Sequence, residues 1–194
     1  MPARRPPTNR AVTVLAVTAI VLVAGVISLI GEGGSGTPSP PGQVHVSGPP
    51  RARMLRPGDE IPSFSAPALG GGHLDWSSYT GHAVVLALWA SWCPHCQSEL
   101  PILAKVAEDF PGVDLVTVTS AVGREPGPTP AEFMNDHGLT FPVAVDDERG
   151  TLARALGLEY FPTLYFVSSD GTVARAVYGD TPEATLRTLF EALH

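Results

Sequence analysis

Residues 11–30, AVTVLAVTAIVLVAGVISLI, form a run of 20 without one charged side chain. At about 1.5 Å rise per residue, such a helix spans a bilayer hydrocarbon core of about 30 Å. A core helix of a small domain shows a polar face, and this segment has none. The run is therefore expected to lie outside the folded domain, as a transmembrane helix. A cleaved signal peptide is the competing reading, but its apolar stretch is about 7–15 residues long and ends at an A-x-A-like site. Here the run is longer and leaves through SLIGEGGSG, with no such site and no following Cys for lipid attachment. A retained anchor is preferred. Arg4, Arg5 and Arg10 precede it and Glu32 is the first charge after it, so residues 1–10 are expected in the cytoplasm and 31–194 outside.

Residues 31–53, GEGGSGTPSPPGQVHVSGPPRAR, are rich in Gly, Pro and Ser and poor in large apolar side chains. Such a stretch buries too little surface to fold and is expected to be a flexible linker. That leaves 54–194 as one domain. It carries seven Lys/Arg against 18 Asp/Glu, a formal charge of −11. The balance argues against a nucleic-acid partner.

Within 54–194, strand and helix signals alternate. AVVLALW (83–89) is a continuous apolar run of buried-strand length. It leads to Cys93-Pro94, with Pro suited to the first helical position. Leu100, Leu103, Val106, Ala107 and Phe110 follow at helical spacing, and Pro111-Gly112 stops the helix; Pro101 lies inside it. A strand at 115–119 comes next, then a loop at 120–130 and a short helix opened by Thr129-Pro130. A strand at 141–145 precedes a helix from about Glu148 to Gly157. Ser169-Asp170-Gly171 joins strands 163–167 and 172–178 as a hairpin, and Thr181-Pro182 is expected to cap a last helix. The order β-α-β-α-β-α-β-β-α implies an α/β fold, a mostly parallel sheet covered on both faces with an antiparallel strand added by the hairpin.

The chain has two cysteines, Cys93 and Cys96, in Cys93-Pro94-His95-Cys96 at a strand-to-helix junction. A structural bridge closing so short a loop contributes only about 2 kcal/mol. Redox chemistry explains the spacing better. At a helix N-terminus, free N–H groups and the helix dipole favour a thiolate, so Cys93 is expected as nucleophile with a lowered pKa. Cys96, deeper in the helix, is expected to resolve the mixed disulfide. His95 adds a cation beside the pair, its bland alternative being a solvated loop histidine. Stabilising a thiolate favours the dithiol and makes the pair more oxidising.

LWASWCPHCQSELP (88–101), with Phe161-Pro162-Thr163 before a strand, resembles the TlpA/ResA-like branch of the thioredoxin superfamily, including DsbE- and ScsD-like proteins. The resemblance covers about residues 57–193. It implies a thioredoxin-like fold with a central mixed sheet flanked by helices. It also implies that Pro162 is a cis-proline packed on the redox pair and that Phe161, Pro162 and Thr163 meet the substrate. Glu99 matches an acidic residue near the site, and its i, i+3 spacing from Cys96 lets it act on that thiol's proton. The alternative is a surface carboxylate. Trp92 matches an aromatic that shields the disulfide. One departure stands out: Ala87 occupies the position where thioredoxins proper carry a buried carboxylate.

The expected activity is extracytoplasmic disulfide exchange with protein thiols, as oxidant in preference to reductant. A membrane partner recycles the pair, and no cofactor or metal is needed. The rivals are a reductant for apocytochrome c or other exported thiols, a peroxide reductase and a copper binder using Cys93, His95 and Cys96. Ala90, where a peroxidatic Thr-x-x-Cys would place Thr, argues against peroxide chemistry.

Overall fold

The computed structural model describes residues 42–193. The expected cytoplasmic segment 1–10, the apolar run 11–30 and linker residues 31–41 lie outside the described residues. No helix among the described residues is long and apolar enough to cross a membrane.

Three short strands open the domain: β1 (His45–Val46), β2 (Phe64–Pro67) and β3 (His73–Asp75), paired antiparallel in that order. His45 pairs with Ser65 and Val46 with Phe64, so strand pairing reaches into the stretch expected as linker. Val44, Val46 and Met54 rest against the core, and Arg53 is bonded to Asp59 at 2.7 Å. These few apolar side chains hold the segment, although its composition reads as linker. Gly157, at φ +65°, lets it close: a Cβ there would overlap the Arg53 carbonyl.

A 3-10 turn (Trp76–Tyr79) leads into β4 (Ala83–Trp89), the central strand of a five-stranded sheet. The other sheet strands are β5 (Val113–Thr119), β6 (Val143–Val145), β7 (Thr163–Val167) and β8 (Val173–Tyr178), in the order β6-β5-β4-β7-β8. β4 pairs parallel with β5 and antiparallel with β7. The sheet is therefore evenly mixed rather than mostly parallel. The 169–171 hairpin forms as expected, with Gly171 at φ 84° and the Ser168 amide donating to Thr172 O at 2.9 Å.

The helices are α1 (Pro94–Glu108), α2 (Pro130–Asp136), α3 (Thr151–Ala155) and α4 (Glu183–Glu191). β4 alternates its side chains between two cores, which explains its unbroken apolar run. Val84, Leu86 and Leu88 face the β1–β3 hairpins, Trp76 and Leu152 of α3. Val85, Ala87 and Trp89 face Leu100 and Leu103 of α1, Phe133 of α2 and Phe190 of α4. Each fully buried Leu contributes about 2 kcal/mol of transfer free energy.

The two Thr-Pro helix starts behave differently. Thr129 forms a capping box with Glu132, its hydroxyl accepting from the Glu132 amide and its own amide donating to Glu132 Oε2. Thr181, by contrast, does not cap α4. Pro182 takes the N-cap place, and the Thr181 hydroxyl donates to Gly179 O at 3.3 Å.

Asp146 is buried and ties β5 to α3. Its oxygens accept from Ser120 Oγ at 2.7 Å, Asp147 N at 2.9 Å, Leu152 N at 2.8 Å and Ala153 N at 3.0 Å. Asp146→Asn presents an NH2 group to N–H donors at one of these oxygens. Urea unfolding is expected to show a loss of about 1–2 kcal/mol, and an unchanged midpoint would contradict the network.

Candidate active site

Cys93 is the N-cap of α1, at φ −80° and ψ 117°, with Pro94 opening the helix. An extended N-cap turns the side chain back over the first turn, whose amides lack helical partners. Its Sγ accepts the Cys96 amide at 3.4 Å and lies 3.8 Å from the Phe161 carbonyl. Both cysteines are thiols; Cys93 keeps 5% exposure and Cys96 none. Burial pushes the Cys96 thiol well above the ordinary cysteine range, and its contact with Cys93 adds to this.

The Phe161–Pro162 peptide is cis. The Pro162 carbonyl accepts from the Gly179 amide at 3.0 Å, so the carbonyl presented to Cys93 is that of Phe161. Thr163 is fully buried and donates its hydroxyl to Tyr160 O at 2.7 Å. Of the expected substrate-facing trio, Thr163 thus points inward and supports the turn. Trp92 stands edge-on to Phe161, ring centres 5.7 Å apart, and its indole N–H donates to Ala121 O at 2.9 Å. Ala121 holds φ 55°, left-handed backbone that is costly for alanine.

The loop expected at 120–130 is packed on this side of the site. A Cβ on Gly127 would meet Trp92 Cβ at 2.9 Å and its Cα at 3.0 Å. Gly127→Ala is expected to destabilise by about 1–3 kcal/mol and to shift Trp92 emission to the red, isolated by difference from a Trp92→Phe variant. Unchanged stability and emission would mean that the loop yields freely.

His95 and Glu99 part company. His95 is exposed, and its Nδ1 is 2.8 Å from Asp180 Oδ2. Glu99, allowed above as a surface carboxylate, is 3% exposed. Neither carboxylate oxygen has a hydrogen bond of normal geometry, although the Thr181 amide and hydroxyl lie close enough to favour the charged form. Burial dominates and raises Glu99 to about 7, with Asp180 adding to the rise and His95 opposing it. Ala87 lies on the same core face as Cys96, so that face of β4 offers no acid. Sequence reasoning missed Asp180, which lies 85 residues from His95. It also missed the stacking of exposed Tyr160 on Tyr178, ring centres 5.1 Å apart.

A helix-capping thiol, a buried second thiol one turn on and a cis-proline beside them define a thioredoxin-fold redox protein. Solved structures share the fold. A DsbE-type thiol:disulfide interchange protein of Chlorobium tepidum matches with TM-score 0.64 and 27% identity, covering 72% of this chain and 99% of that one. A secreted Mycobacterium tuberculosis disulfide oxidoreductase gives TM-score 0.60 and 28% identity, over 67% and 96%. The thiol-disulfide oxidoreductase ResA of Bacillus subtilis is 30% identical over 131 residues, 66% of this chain and 71% of its own. Residues 57–176 match the AhpC/TSA family. The chain belongs to that family and is a thiol–disulfide oxidoreductase of the ResA/DsbE type.

Proposed function

We propose that this chain oxidises protein thiols outside the cytoplasm, held to the membrane by residues 11–30, with Cys93 and Cys96 as its exchanging disulfide. The observation that carries the reading is the asymmetry of the two thiols: Cys93 caps a helix beside Phe161 O, while Cys96 is sealed beneath it. In the oxidised enzyme a substrate thiolate attacks Cys93 Sγ. The Cys93–Cys96 bond breaks, and its electron pair leaves on Cys96. A second substrate thiolate then attacks the substrate sulfur of the mixed disulfide and releases Cys93. Two electrons pass to the enzyme, and the substrate leaves as a disulfide.

A buried Cys96 thiolate is strongly disfavoured, so its departure needs a proton. Glu99, one turn along α1 and raised to about 7, supplies it, and takes it back when a membrane partner reoxidises the pair. Trp92 and Phe161 wall the reacting sulfur, and Pro94 holds the cap geometry. His95 between the cysteines supports the oxidising direction. The copper reading gains nothing from the site, since Cys96 is sealed and the His95 ring bonds to Asp180.

Equilibration with glutathione tests the direction. An oxidant is expected to lie well above the thioredoxin value of about −270 mV. A potential at or below that value makes the protein a reductant. Trapping on a Cys96→Ser variant gives a second reading: many unrelated secreted proteins are expected, and capture of apocytochrome c alone would reverse the assignment.

A further inference from the structure

We propose that Asp180 is a positioning residue that holds His95 and offsets its charge, and so sets how oxidising the Cys93–Cys96 pair is. The inference rests on the reading of those cysteines as the exchanging pair. His95 Nδ1 sits 2.8 Å from Asp180 Oδ2, and among the described residues its ring has no hydrogen bond to either sulfur. The bond fixes Nδ1 toward the carboxylate and leaves Nε2 as the ring's free nitrogen.

The fold delivers Asp180 to this place. Gly179 at φ 73° turns the chain out of β8, and its amide is tied to the Pro162 carbonyl at 3.0 Å. The Thr181 hydroxyl closes back on Gly179 O, and α4 then anchors the segment through buried Leu186 and Phe190. Asp180 is thus built onto the same turn that supports the cis-proline. It also lines a cleft of about 240 Å³ with Ser98, Glu99, Ile102 and Thr181.

The consequence is electrostatic. A cation between the cysteines stabilises a thiolate and hence the dithiol. The Asp180 carboxylate opposes that field when the ring is protonated, and by its own negative charge disfavours a thiolate when the ring is neutral. Asp180 therefore restrains the oxidising tendency that the Pro-His pair confers, and its exposure keeps the effect modest and screened by salt.

The test is the equilibrium constant with glutathione for the full chain at low and high salt. Asp180→Asn is expected to favour the dithiol roughly two- to fivefold, the range of exposed ion pairs. For a two-electron couple fivefold is about 20 mV. Asp180→Glu, which keeps the charge, should stay within about twofold of the parent, and the Asn effect should fade in about 1 M salt, where screening reaches about 3 Å. An unchanged constant, a shift toward the disulfide, an equal shift with Glu, or a shift indifferent to salt each overturns the role of Asp180. If the parent chain forms no reversible Cys93–Cys96 disulfide, the underlying reading falls with it.

Discussion

Replacing Cys93 by Ala is expected to abolish thiol–disulfide exchange altogether, whereas replacing Cys96 by Ser is expected to leave a single exchange with a disulfide, which stops at a mixed disulfide on Cys93. The difference follows from where the sulfurs sit. Cys93 is the N-cap, retains 5% exposure and faces the Phe161 carbonyl at 3.8 Å, so an incoming sulfur can reach it. Cys96 has no exposure, and burial holds its proton. A substrate can reach Cys96 only through Cys93. With Cys93 gone, no chain of exchanges reaches the second sulfur, and the loss is the whole catalytic rate. With Cys96 gone, the first bond still forms, and nothing inside the protein breaks it. Mass spectrometry after mixing with an oxidised peptide should find adducts on Cys93 of Cys96→Ser and none on Cys96 of Cys93→Ala. Equal adduct formation by the two variants would refute the assigned roles.

What the sequence disclosed follows the reach of its signals. AVVLALW declared β4 because a strand buried on both faces must be apolar throughout, and Val84 and Val85 do enter opposite cores. Cys93-Pro94 declared a helix start because the cap and the first-turn proline are adjacent in the chain. β2 and β3 escaped notice because four- and three-residue strands are too short to show a period. Residues 44–53 read as linker because their hold depends on Ser63, Asp59 and Arg154, all distant in sequence or irregular in setting. The same limit applies within the site. The i, i+3 relation of Cys96 and Glu99 is local and was legible, but the burial of Glu99 depends on how α4 lies on α1. The His95–Asp180 pair is a product of tertiary structure alone.

Glu99→Gln is expected to make the protein more stable above neutral pH and slower as an enzyme. The ordinary value for this side chain is 4.5, and burial raises it to about 7 in the folded protein. Between those values the folded state keeps a proton that the unfolded chain has lost. Stability therefore falls as pH rises from about 4.5 to about 7 and stays at the lower level beyond. Gln has the shape of the protonated acid and never ionises, so it escapes this penalty. The variant should match the parent near pH 4.5 and exceed it at pH 8 by up to about 3 kcal/mol. Urea unfolding across that range measures the difference directly, and parallel pH profiles would show that Glu99 does not ionise where its burial implies. The same substitution removes the group proposed to hand a proton to Cys96, and loss of such a group is expected to slow the reaction by roughly 10²-fold or more. The slowing should fall on release of Cys96 and spare alkylation of Cys93. A carboxylate buried without a full set of partners, at a cost in stability that Gln relieves, is what an acid–base role at Cys96 requires.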